Sequence, residues 1–340
     1  MALIDLIFKM GNKQKIFTIS KTLIRLFVGL MFIVAAVLKL LTVDSFELYI
    51  YSFNIFGYGI ATMLSRMLIA SEIIIGLGLI LKIRYKEVWS LAMFALIGFT
   101  LFLFYVILFR NDHNCHCFGD IIRLNPAESI MKNLVSILLL LFIRNEYEHH
   151  YRMRLKKWLV GLLVAVALII PFVVFPMDSV YNIIASKDNN IDTIEFDNSL
   201  KDPEIMNLLR FETENDSIVV RHDTIAITVF TDDCYIVSFV SAGCNFCKFG
   251  ADKLSMVLEH NNINKKHLKF LVWGYDADIV EFMNETETMG SEYWFISPIK
   301  SLDITYGRFP IYVWLDHGTI VASGDLRDLN ESKIVEFLAK

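Results

Sequence analysis

Long apolar runs constrain the fold of this chain more than any other feature of its sequence. A helix needs about 20 predominantly apolar residues to cross a bilayer. Hydrophobic residues make up 55% of the 340 residues and charged residues only 20%, a balance that excludes an ordinary soluble protein. The runs cover residues 22–42, 60–81, 88–109, 127–143 and 158–176. We therefore predict an α-helical membrane bundle whose first run is a retained span and not a cleaved signal peptide.

The two halves of the chain differ in charge. Residues 1–175 carry 18 Lys and Arg against 10 Asp and Glu, whereas residues 176–340 carry 14 against 27. The second half is also mixed in composition and long enough to form one soluble domain with its own core. The sequence thus predicts a basic membrane part joined to an acidic soluble part. The lipid bilayer is an expected partner and nucleic acid is not.

Lysine and arginine are unevenly distributed among the loops between the apolar runs. The N-terminal segment up to Arg25, in the first turn of the first run, and the loops after the second and fourth runs hold thirteen of them, whereas residues 43–65 and 110–126 hold two. Cytoplasmic loops carry the excess of these residues. We predict a cytoplasmic N-terminus, five spans in a bacterial inner membrane and a periplasmic second half.

An unusual loop, "NDHNCHCFGD" at 111–120, separates the third and fourth runs and contains Cys115 and Cys117. With the predicted orientation it faces the same compartment as the second half, which holds a further pair in "GCNFCKFG", Cys244 and Cys247. Disulfides persist on that side of the membrane. Two close cysteine pairs and one single cysteine, Cys234, suggest reactive chemistry more than structural cross-linking.

Few ionisable residues lie within the apolar runs. Glu72 is the deepest, and Lys39 and Arg66 lie nearer the outer ends. A carboxylate at that depth costs roughly 2.5–3.5 kcal/mol unless it is paired or protonated. One interpretation is a charge pair that braces the bundle or borders a proton or quinone site. The other is a protonated Glu72 that makes one hydrogen bond between helices.

The second half has an alternating pattern of strands and helices. Residues 234–244 read as a strand, 248–261 as a helix, 267–276 as a strand and 277–287 as a helix. Residues 309–325 then read as two strands joined by a tight turn, and 330–340 as a helix. This order predicts an α/β domain with a mixed sheet. Residues 186–222 are polar and irregular, which is typical of a linker.

The first predicted strand of this domain leads directly into "CNFC", which opens a helix. Cys244 would lie at the helix N-terminus, where free N–H groups and the helix dipole favour the thiolate. Cys247, one turn further on, could resolve a mixed disulfide. This arrangement favours thiol–disulfide exchange. A half zinc site or a structural disulfide would be the alternatives, although no second C-x-x-C and no suitable His pair follow to complete a zinc site.

These residues resemble a thioredoxin-fold domain over about 225–340, most similar to the membrane-anchored, extracytoplasmic TlpA/ResA-like proteins. The match includes "RFPIYVWLDHGTIVASG", similar to the cis-proline strand and hairpin of that family. The resemblance implies that Pro310 is cis and that Pro310 and Phe309 help to bind a client chain. Gly243 stands where the family usually has tryptophan, and Phe309 where it usually has a small or β-branched residue.

The first half resembles the MauE/DoxX family of four-helix membrane proteins over about 17–145. The shared features are "RLFVGLMFIVAAVLKLLTVDSF", "SRMLIASEIIIGLGLIL" and a third span followed by C-x-C-F-G, here Cys115 to Gly119. The resemblance implies a role in disulfide formation in partner enzymes. The expected domains are a MauE/DoxX-like four-helix domain over 1–150, a fifth helix and linker over 151–185, an extension over 186–224 and a thioredoxin-like domain over 225–340.

Three interpretations of the C-x-C loop remain open. A disulfide in so small a ring should be easily reduced, so the pair could exchange electrons with Cys244 and Cys247, which are tethered nearby at high effective concentration. Alternatively, the loop could bind copper or zinc, which suits imidazole and thiolate ligands. In the third interpretation the cysteines only brace the loop. The ligands of the metal site would be His113, Cys115, His116 and Cys117.

The corresponding functions belong to three classes. The first is a membrane thiol–disulfide oxidoreductase that oxidises or reduces extracytoplasmic cysteine-containing client proteins, with a membrane quinone as a candidate cofactor. The second is an accessory protein that handles copper or helps a metalloenzyme to mature. The third is a scaffold that presents a thioredoxin-like domain without turning over. Too few polar residues lie in the spans for a transport pathway.

Overall fold

The computed structural model describes residues 2–110, 114–122, 124–144, 157–178, 206–214, 217–223, 230 and 232–339. The chain divides into two compact units, Met1–Met177 and Asp178–Lys340. We call them the membrane unit and the C-terminal unit.

The membrane unit is helical. Its elements are α1 (Ala2–Leu41), α2 (Val43–Tyr51), α3 (Tyr58–Ile80), α4 (Tyr85–Phe109), a short strand β1 (Cys117–Asp120), α5 (Pro126–Phe142) and α6 (Lys157–Val174). Each predicted apolar run therefore forms a helix. In the described part of the chain, three helices are long and apolar enough to cross a membrane: Phe17–Leu41 of α1, α3 and α4. Because α5 and α6 are shorter, the five-span count stays a prediction.

Small residues let α1 and α3 approach closely. A Cβ atom at Gly29 would lie 3.1 Å from the carbonyl oxygen of Gly76, and one at Gly76 would lie 2.8 Å from that of Gly29. Where two helices meet backbone to backbone, glycine removes the steric barrier to van der Waals contact. Further along, α5 begins with Pro126 in its first turn and a capping box formed by Asn125 and Glu128.

The helix α2 was missed in the sequence because residues 43–65 were read only as a loop without basic residues. Val43 and Phe46, three positions apart, are buried against Ile69 of α3. This apolar spacing is helical, but the segment is too short to attract attention as a span. Its formation matters because α2 also carries a buried carboxylate, Glu47.

The C-terminal unit is an α/β domain. Its elements are β2 (Met206–Glu214), β3 (Ser217–Asp223), β4 (Cys234–Ser241), α7 (Asn245–His260), β5 (Leu268–Trp273), α8 (Asp276–Glu285), β6 (Glu292–Ile296), α9 (Pro298–Thr305), β7 (Ile311–Asp316), β8 (Thr319–Gly324) and α10 (Glu331–Leu338). The strand order in the sheet is β3-β2-β6-β5-β4-β7-β8. The β4–β5 and β5–β6 pairs are parallel and the other pairs antiparallel, which confirms the predicted mixed sheet.

The assignment of residues 186–224 to a linker was wrong for its last part. Residues 206–214 and 217–223 form two paired strands, β2 and β3, and β2 also pairs with β6 and extends the sheet. Charged residues on both strands, such as Arg210 of β2 and Arg221 of β3, hid the pattern, yet Leu209 is buried. The pairing covers what would otherwise be an open edge of the sheet at β6. The thioredoxin-like domain therefore includes residues before 225.

Two further elements, β6 and α9, also escaped the sequence analysis. "EYWFI" contains a charge at its start and is only five residues long, although Tyr293 and Ile296 are buried.

The predicted turn between β7 and β8 is present, with His317 and Gly318 both at positive φ, +48° and +81°. That conformation matches a two-residue hairpin loop.

Candidate functional site

Cys244 and Cys247, the cysteine pair of the C-terminal unit, lie where β4 leads into α7. β4 ends at Ser241, and Cys244 is the N-cap residue of α7. The backbone N–H of Cys247 donates to Cys244 Sγ over 3.3 Å. The helix forms because Cys247, Ala251, Leu254 and Leu258 recur at helical spacing and pack inward. Cys244 is partly exposed, whereas Cys247 is buried.

The two thiols differ sharply in acidity. The hydrogen bond from the Cys247 thiol, helped by the backbone N–H groups of Cys247 and Phe246, lowers the pKa of Cys244 to about 6, although its partial burial opposes this. The hydrogen bond to Cys244 and burial raise the pKa of Cys247 well above its usual value. At neutral pH the accessible sulfur is therefore a thiolate and the buried one a thiol. Thiol–disulfide exchange requires this difference between an attacking thiolate and a second, protonated thiol.

A polar pair beneath this site was not anticipated. Ser238 of β4 and Tyr312 of β7 stand opposite each other in the sheet. Within the described part of the chain, neither hydroxyl has a hydrogen-bond partner, and both are buried. Burial raises the pKa of Tyr312 well above its usual value, and nearby Cys247 and Cys244 add to this effect. Ser238 was the sequence signal, because it interrupts an otherwise apolar strand.

The proline predicted to bind clients precedes β7. The Phe309–Pro310 peptide bond is cis, as the resemblance implied. A groove of about 410 Å³ is lined by residues 307–311 and 323–325. Phe309 is only half-exposed and its ring lies 6.2 Å from that of Trp273, so it contributes to the core as well as to the groove. A role for either residue in client binding stays a prediction.

The second cysteine pair lies in the membrane unit. Cys115 and Cys117 form a disulfide, with their Cα atoms 5.3 Å apart. Their exposed fractions are 0% and 2%, and they pack with Leu103 and Ile130. Ser129 Oγ lies 2.9 Å from Cys115 Sγ. The pair is therefore enclosed by apolar side chains and does not lie on the surface of the loop.

Steric contact explains why the C-x-C-F-G motif has a glycine at position 119. Gly119 has a φ of +66°, and a Cβ atom there would lie 2.2 Å from Thr42 Oγ1 and 2.8 Å from Leu38 O at the end of α1. Only glycine tolerates both that conformation and that contact. The N–H of Asp120 also donates to Thr42 Oγ1 over 3.1 Å. The cysteine loop is thus anchored to the C-terminal end of α1.

The alternative metal site can be described only in part. His113 lies outside the described residues. The ring of His116 packs against Tyr49, with 4.5 Å between centroids, and its backbone has a φ of +50°. The two cysteine sulfurs are bonded to each other, so this oxidised form offers no thiolate ligands. Copper binding stays a prediction for the reduced form.

The polar residues predicted within the spans form two separate ion pairs. Lys39 pairs with Glu72, as one interpretation predicted. Arg66 does not join them but pairs with Glu47 of α2 and also donates to Phe175 O from Nη2 over 3.0 Å. A single site of Glu72, Lys39 and Arg66 was therefore wrong, because the missed helix α2 supplies another partner. Removing one member of such a buried pair typically costs about 3–5 kcal/mol.

Together, the strand order, the C-x-x-C at the start of α7 and its unequal thiols define the class of protein. The chain is a membrane-bound thiol–disulfide oxidoreductase, with a thioredoxin-like domain joined to an apolar helical unit. The chain is also similar to known proteins. Residues 15–144 match the family "Methylamine utilisation protein MauE". Protein TlpB of Flavobacterium psychrophilum is 26% identical over 318 residues, covering 83% of this chain and 82% of that protein.

Solved structures resemble the C-terminal unit. The thioredoxin domain of a thiol-disulfide oxidoreductase from Bacteroides vulgatus is 17% identical and covers 39% of this chain and 93% of its own, with a TM-score of 0.28. A thiol:disulfide interchange protein from Bacteroides sp. is 16% identical and covers 40% and 89%, also with a TM-score of 0.28.

Proposed function

We propose that the two cysteine pairs exchange a disulfide within one chain, linking the membrane unit to exported client proteins. The observation that carries this proposal is the presence, in one chain, of a nucleophilic Cys244 and of an oxidised pair, Cys115 and Cys117. Tethering raises the effective concentration of one pair at the other, typically into the millimolar range. The protein then oxidises or reduces extracytoplasmic cysteine-containing clients.

The exchange proceeds in two displacements. The Cys244 thiolate attacks one sulfur of the Cys115–Cys117 disulfide, a new S–S bond forms, and the other sulfur leaves as a thiolate. Cys247 then attacks Cys244, its proton passing to the departing thiolate, and the second sulfur is released. The first sulfur to leave takes a proton from water, so the products are a Cys244–Cys247 disulfide and a Cys115/Cys117 dithiol, and the reverse sequence is equally balanced.

The burial of the membrane-unit pair adds a requirement. Cys115 and Cys117 expose almost nothing of their side chains, so an attacking thiolate from another domain cannot reach them while Gly119 rests on α1. The loop that carries them must therefore open during exchange. Its contacts with Thr42 and Ser129 are the ones that would break.

The proposed location is a bacterial inner membrane, with five spans, a cytoplasmic N-terminus and both cysteine pairs on the periplasmic side. Support comes from the charge distribution of the loops, thirteen basic residues against two. Within the span Phe17–Leu41, Arg25 lies in the N-terminal half and donates to Ile80 O at the end of α3 over 2.8 Å, whereas Thr42, just past the C-terminal end, binds the cysteine loop.

The proposed clients are extended chain segments that carry cysteine. The ring of Phe246, 64% exposed and two residues from Cys244, offers apolar contact beside the thiolate, and the groove lined by Phe309 and Pro310 offers a second surface for a client chain. A partly exposed thiolate next to an apolar surface suits unfolded or partly folded substrates, because these present both cysteines and apolar side chains.

Trapping of the mixed disulfide tests the exchange. In Cys247→Ser the second displacement is removed, so a disulfide between Cys244 and Cys115 or Cys117 should accumulate in intact cells. It can be detected by maleimide mass tagging and peptide mapping. Cys234→Ser is the matched control, because Cys234 is buried at the start of β4, away from the C-x-x-C turn, and should trap nothing.

A different outcome would change the assignment. If Cys244 captures client proteins while Cys115 and Cys117 never appear in a mixed disulfide, the intramolecular exchange is wrong. The reduced loop should then be titrated with Cu(I). Binding of one copper ion per chain, lost in Cys115→Ser, would favour the metal-handling alternative.

A further inference from the structure

The membrane unit contains a large apolar cavity. Its volume is about 630 Å³, within the range of small-molecule sites, and it lies between α1, α2, α3, α4 and α5. Aromatic and aliphatic side chains form most of its wall, among them Phe32, Phe46 and Phe99. Phe94 and Ile55, which are largely exposed, also border it, so the cavity reaches the outer face of the helices. An apolar ligand can therefore enter from the bilayer.

A few polar groups converge on this apolar space. Lys39, Glu72, Lys132 and Asn133 line the cavity. Asn133 is 1% exposed, and its Nδ2 has no hydrogen-bond partner in the described part of the chain; the same holds for Glu72 Oε2, although Oε1 pairs with Lys39. A buried polar atom without a partner is costly, so these two atoms favour a ligand that can bond to them. The cavity thus presents an amide donor, two ammonium groups and a carboxylate oxygen to a ligand with polar oxygen atoms.

One redox-active residue borders the same space. Cys117 lines the cavity, and Phe118 beside it lies under Lys132, with 4.5 Å from Nζ to the ring centroid. A ligand held by Lys132 and Asn133 would therefore be close to one sulfur of the buried pair. A lipid chain would match the apolar wall of the cavity, but it would leave the buried amide of Asn133 without a hydrogen-bond partner. This amide and the nearby sulfur therefore distinguish the cavity from an ordinary lipid-filled crevice.

We propose that the cavity binds a lipid-soluble quinone, which accepts the electrons of Cys115 and Cys117. A quinone combines an apolar ring and tail with two carbonyl oxygens that accept hydrogen bonds, and it enters from the membrane. The inference rests on the proposed function and names its electron acceptor. It also gives the exchange a direction, from client thiols through Cys244 and Cys247 to the membrane pair, so that clients are oxidised.

The redox step balances. The Cys115/Cys117 dithiol loses two electrons and two protons: both S–H bonds break and one S–S bond forms. The two carbonyl groups of the quinone become hydroxyl groups and gain the same electrons and protons. Asn133 Nδ2 and the lysine ammonium groups donate to the carbonyl oxygens, and Glu72 Oε2 accepts a hydrogen bond from the quinol hydroxyl. The reduced ligand then leaves to the bilayer.

The test uses the full-length chain carrying Cys244→Ser and Cys247→Ser, so that only the membrane pair exchanges electrons. The protein is placed in lipid nanodiscs, reduced with a dithiol, freed of it and mixed under argon with decylubiquinone or a short-chain naphthoquinone. Quinol formation is followed by absorbance, and the loss of the two thiols by mass tagging. We expect one quinol per chain with at least one of the quinones.

A matched pair of glycine variants shows whether the cavity is responsible. Gly98 lines the cavity, and a Cβ atom there meets nothing within 4 Å; the same is true of Gly161 in α6, which does not line it. Gly98→Phe should fill the cavity and abolish quinol formation, whereas Gly161→Phe should not. Asn133→Leu removes one hydrogen bond, worth about 1 kcal/mol, and should raise KM roughly fivefold with little change in kcat.

The inference is overturned if neither quinone oxidises the dithiol, or if Gly98→Phe and Gly161→Phe react equally fast. Asn133→Leu gives an independent answer should Gly98→Phe fail to fold, since an unchanged KM would also contradict it. Failure of the exchange itself looks different, because this assay contains neither Cys244 nor Cys247. Quinol formation without any mixed disulfide in Cys247→Ser would preserve the quinone site and reject the exchange.

Discussion

The two cysteine pairs of this protein are controlled by opposite surroundings. Cys244 sits at a helix N-terminus, where backbone N–H groups and the neighbouring thiol stabilise negative charge. Cys115 and Cys117 lie among apolar side chains with one hydroxyl beside them. The first environment makes a nucleophile that meets proteins, and the second shields sulfur from water next to a membrane cavity. The two cysteine pairs thus perform different tasks, because Cys244 is partly exposed to water whereas Cys115 and Cys117 are enclosed by apolar side chains.

The largest expected difference between the pairs is in pH dependence. An ordinary cysteine has a pKa of about 8.5, so a pKa of about 6 raises the thiolate fraction at pH 7 roughly thirtyfold. The alkylation rate of Cys244 by iodoacetamide should rise as the pH increases through about 6 and level off near neutrality. In the folded, reduced protein, Cys115 and Cys117 should react slowly throughout. A midpoint near 8.5 for Cys244 would break the comparison.

A second prediction concerns the support under the C-x-x-C. A Cβ atom at Gly250 would lie 1.8 Å from the Tyr312 hydroxyl oxygen. Gly250→Ala should therefore destabilise the protein by roughly 1–3 kcal/mol, as overpacking does. Adding Tyr312→Phe removes the nearest clashing atom and should restore part of the loss in thermal unfolding, because the ring carbon Cζ and Leu326 Cδ1 would each still lie 2.9 Å from the Cβ atom. If the double variant is no more stable than Gly250→Ala, the clash is not the cause.

A third prediction concerns the anchoring of the membrane pair. Gly119→Ala should displace the loop from α1, since its Cβ atom would contact Thr42 and Leu38, at a cost of about 1–3 kcal/mol. Cys115 and Cys117 should then be reduced and tagged faster than in the unchanged protein. Gly59→Ala is the control, because a Cβ atom there meets nothing within 4 Å. Equal tagging in both variants would mean that the glycine does not enclose the pair.

The smallest expected effect is on the potential of the membrane pair. Ser129 Oγ lies 2.9 Å from Cys115 Sγ and, as a donor, stabilises the reduced sulfur more than the disulfide. Ser129→Ala should lower the reduction potential by about 10–30 mV, the equivalent of one hydrogen bond of 0.5–1.5 kcal/mol. Equilibration with a glutathione or dithiol buffer measures this. An upward shift would contradict the assignment of Ser129 as a stabilising donor.

Features carried by local pattern were readable from the amino-acid sequence. The apolar runs at 60–81 and 88–109 became α3 and α4, and the strand that leads into Cys244 became β4. Such features depend on the periodicity of neighbouring residues, which any one chain displays. The C-x-x-C chemistry was equally local, because the Cys247 thiol and the backbone N–H groups that lower the pKa of Cys244 lie in the first turn of α7, within three residues of it.

Features that depend on distant residues came only with the folded chain. Arg66 found Glu47 and left Glu72 to Lys39, because α2 packs against α3. The strands β2 and β3 joined the sheet through β6, with paired residues such as Met206 and Ile296 lying 90 positions apart in the sequence. The cavity beside Cys117 exists because five helices leave a space that no single one of them encodes. Ion pairs, sheet-edge pairings and cavities all depend on how segments distant in the sequence pack against each other. The residues within any one segment do not determine that packing.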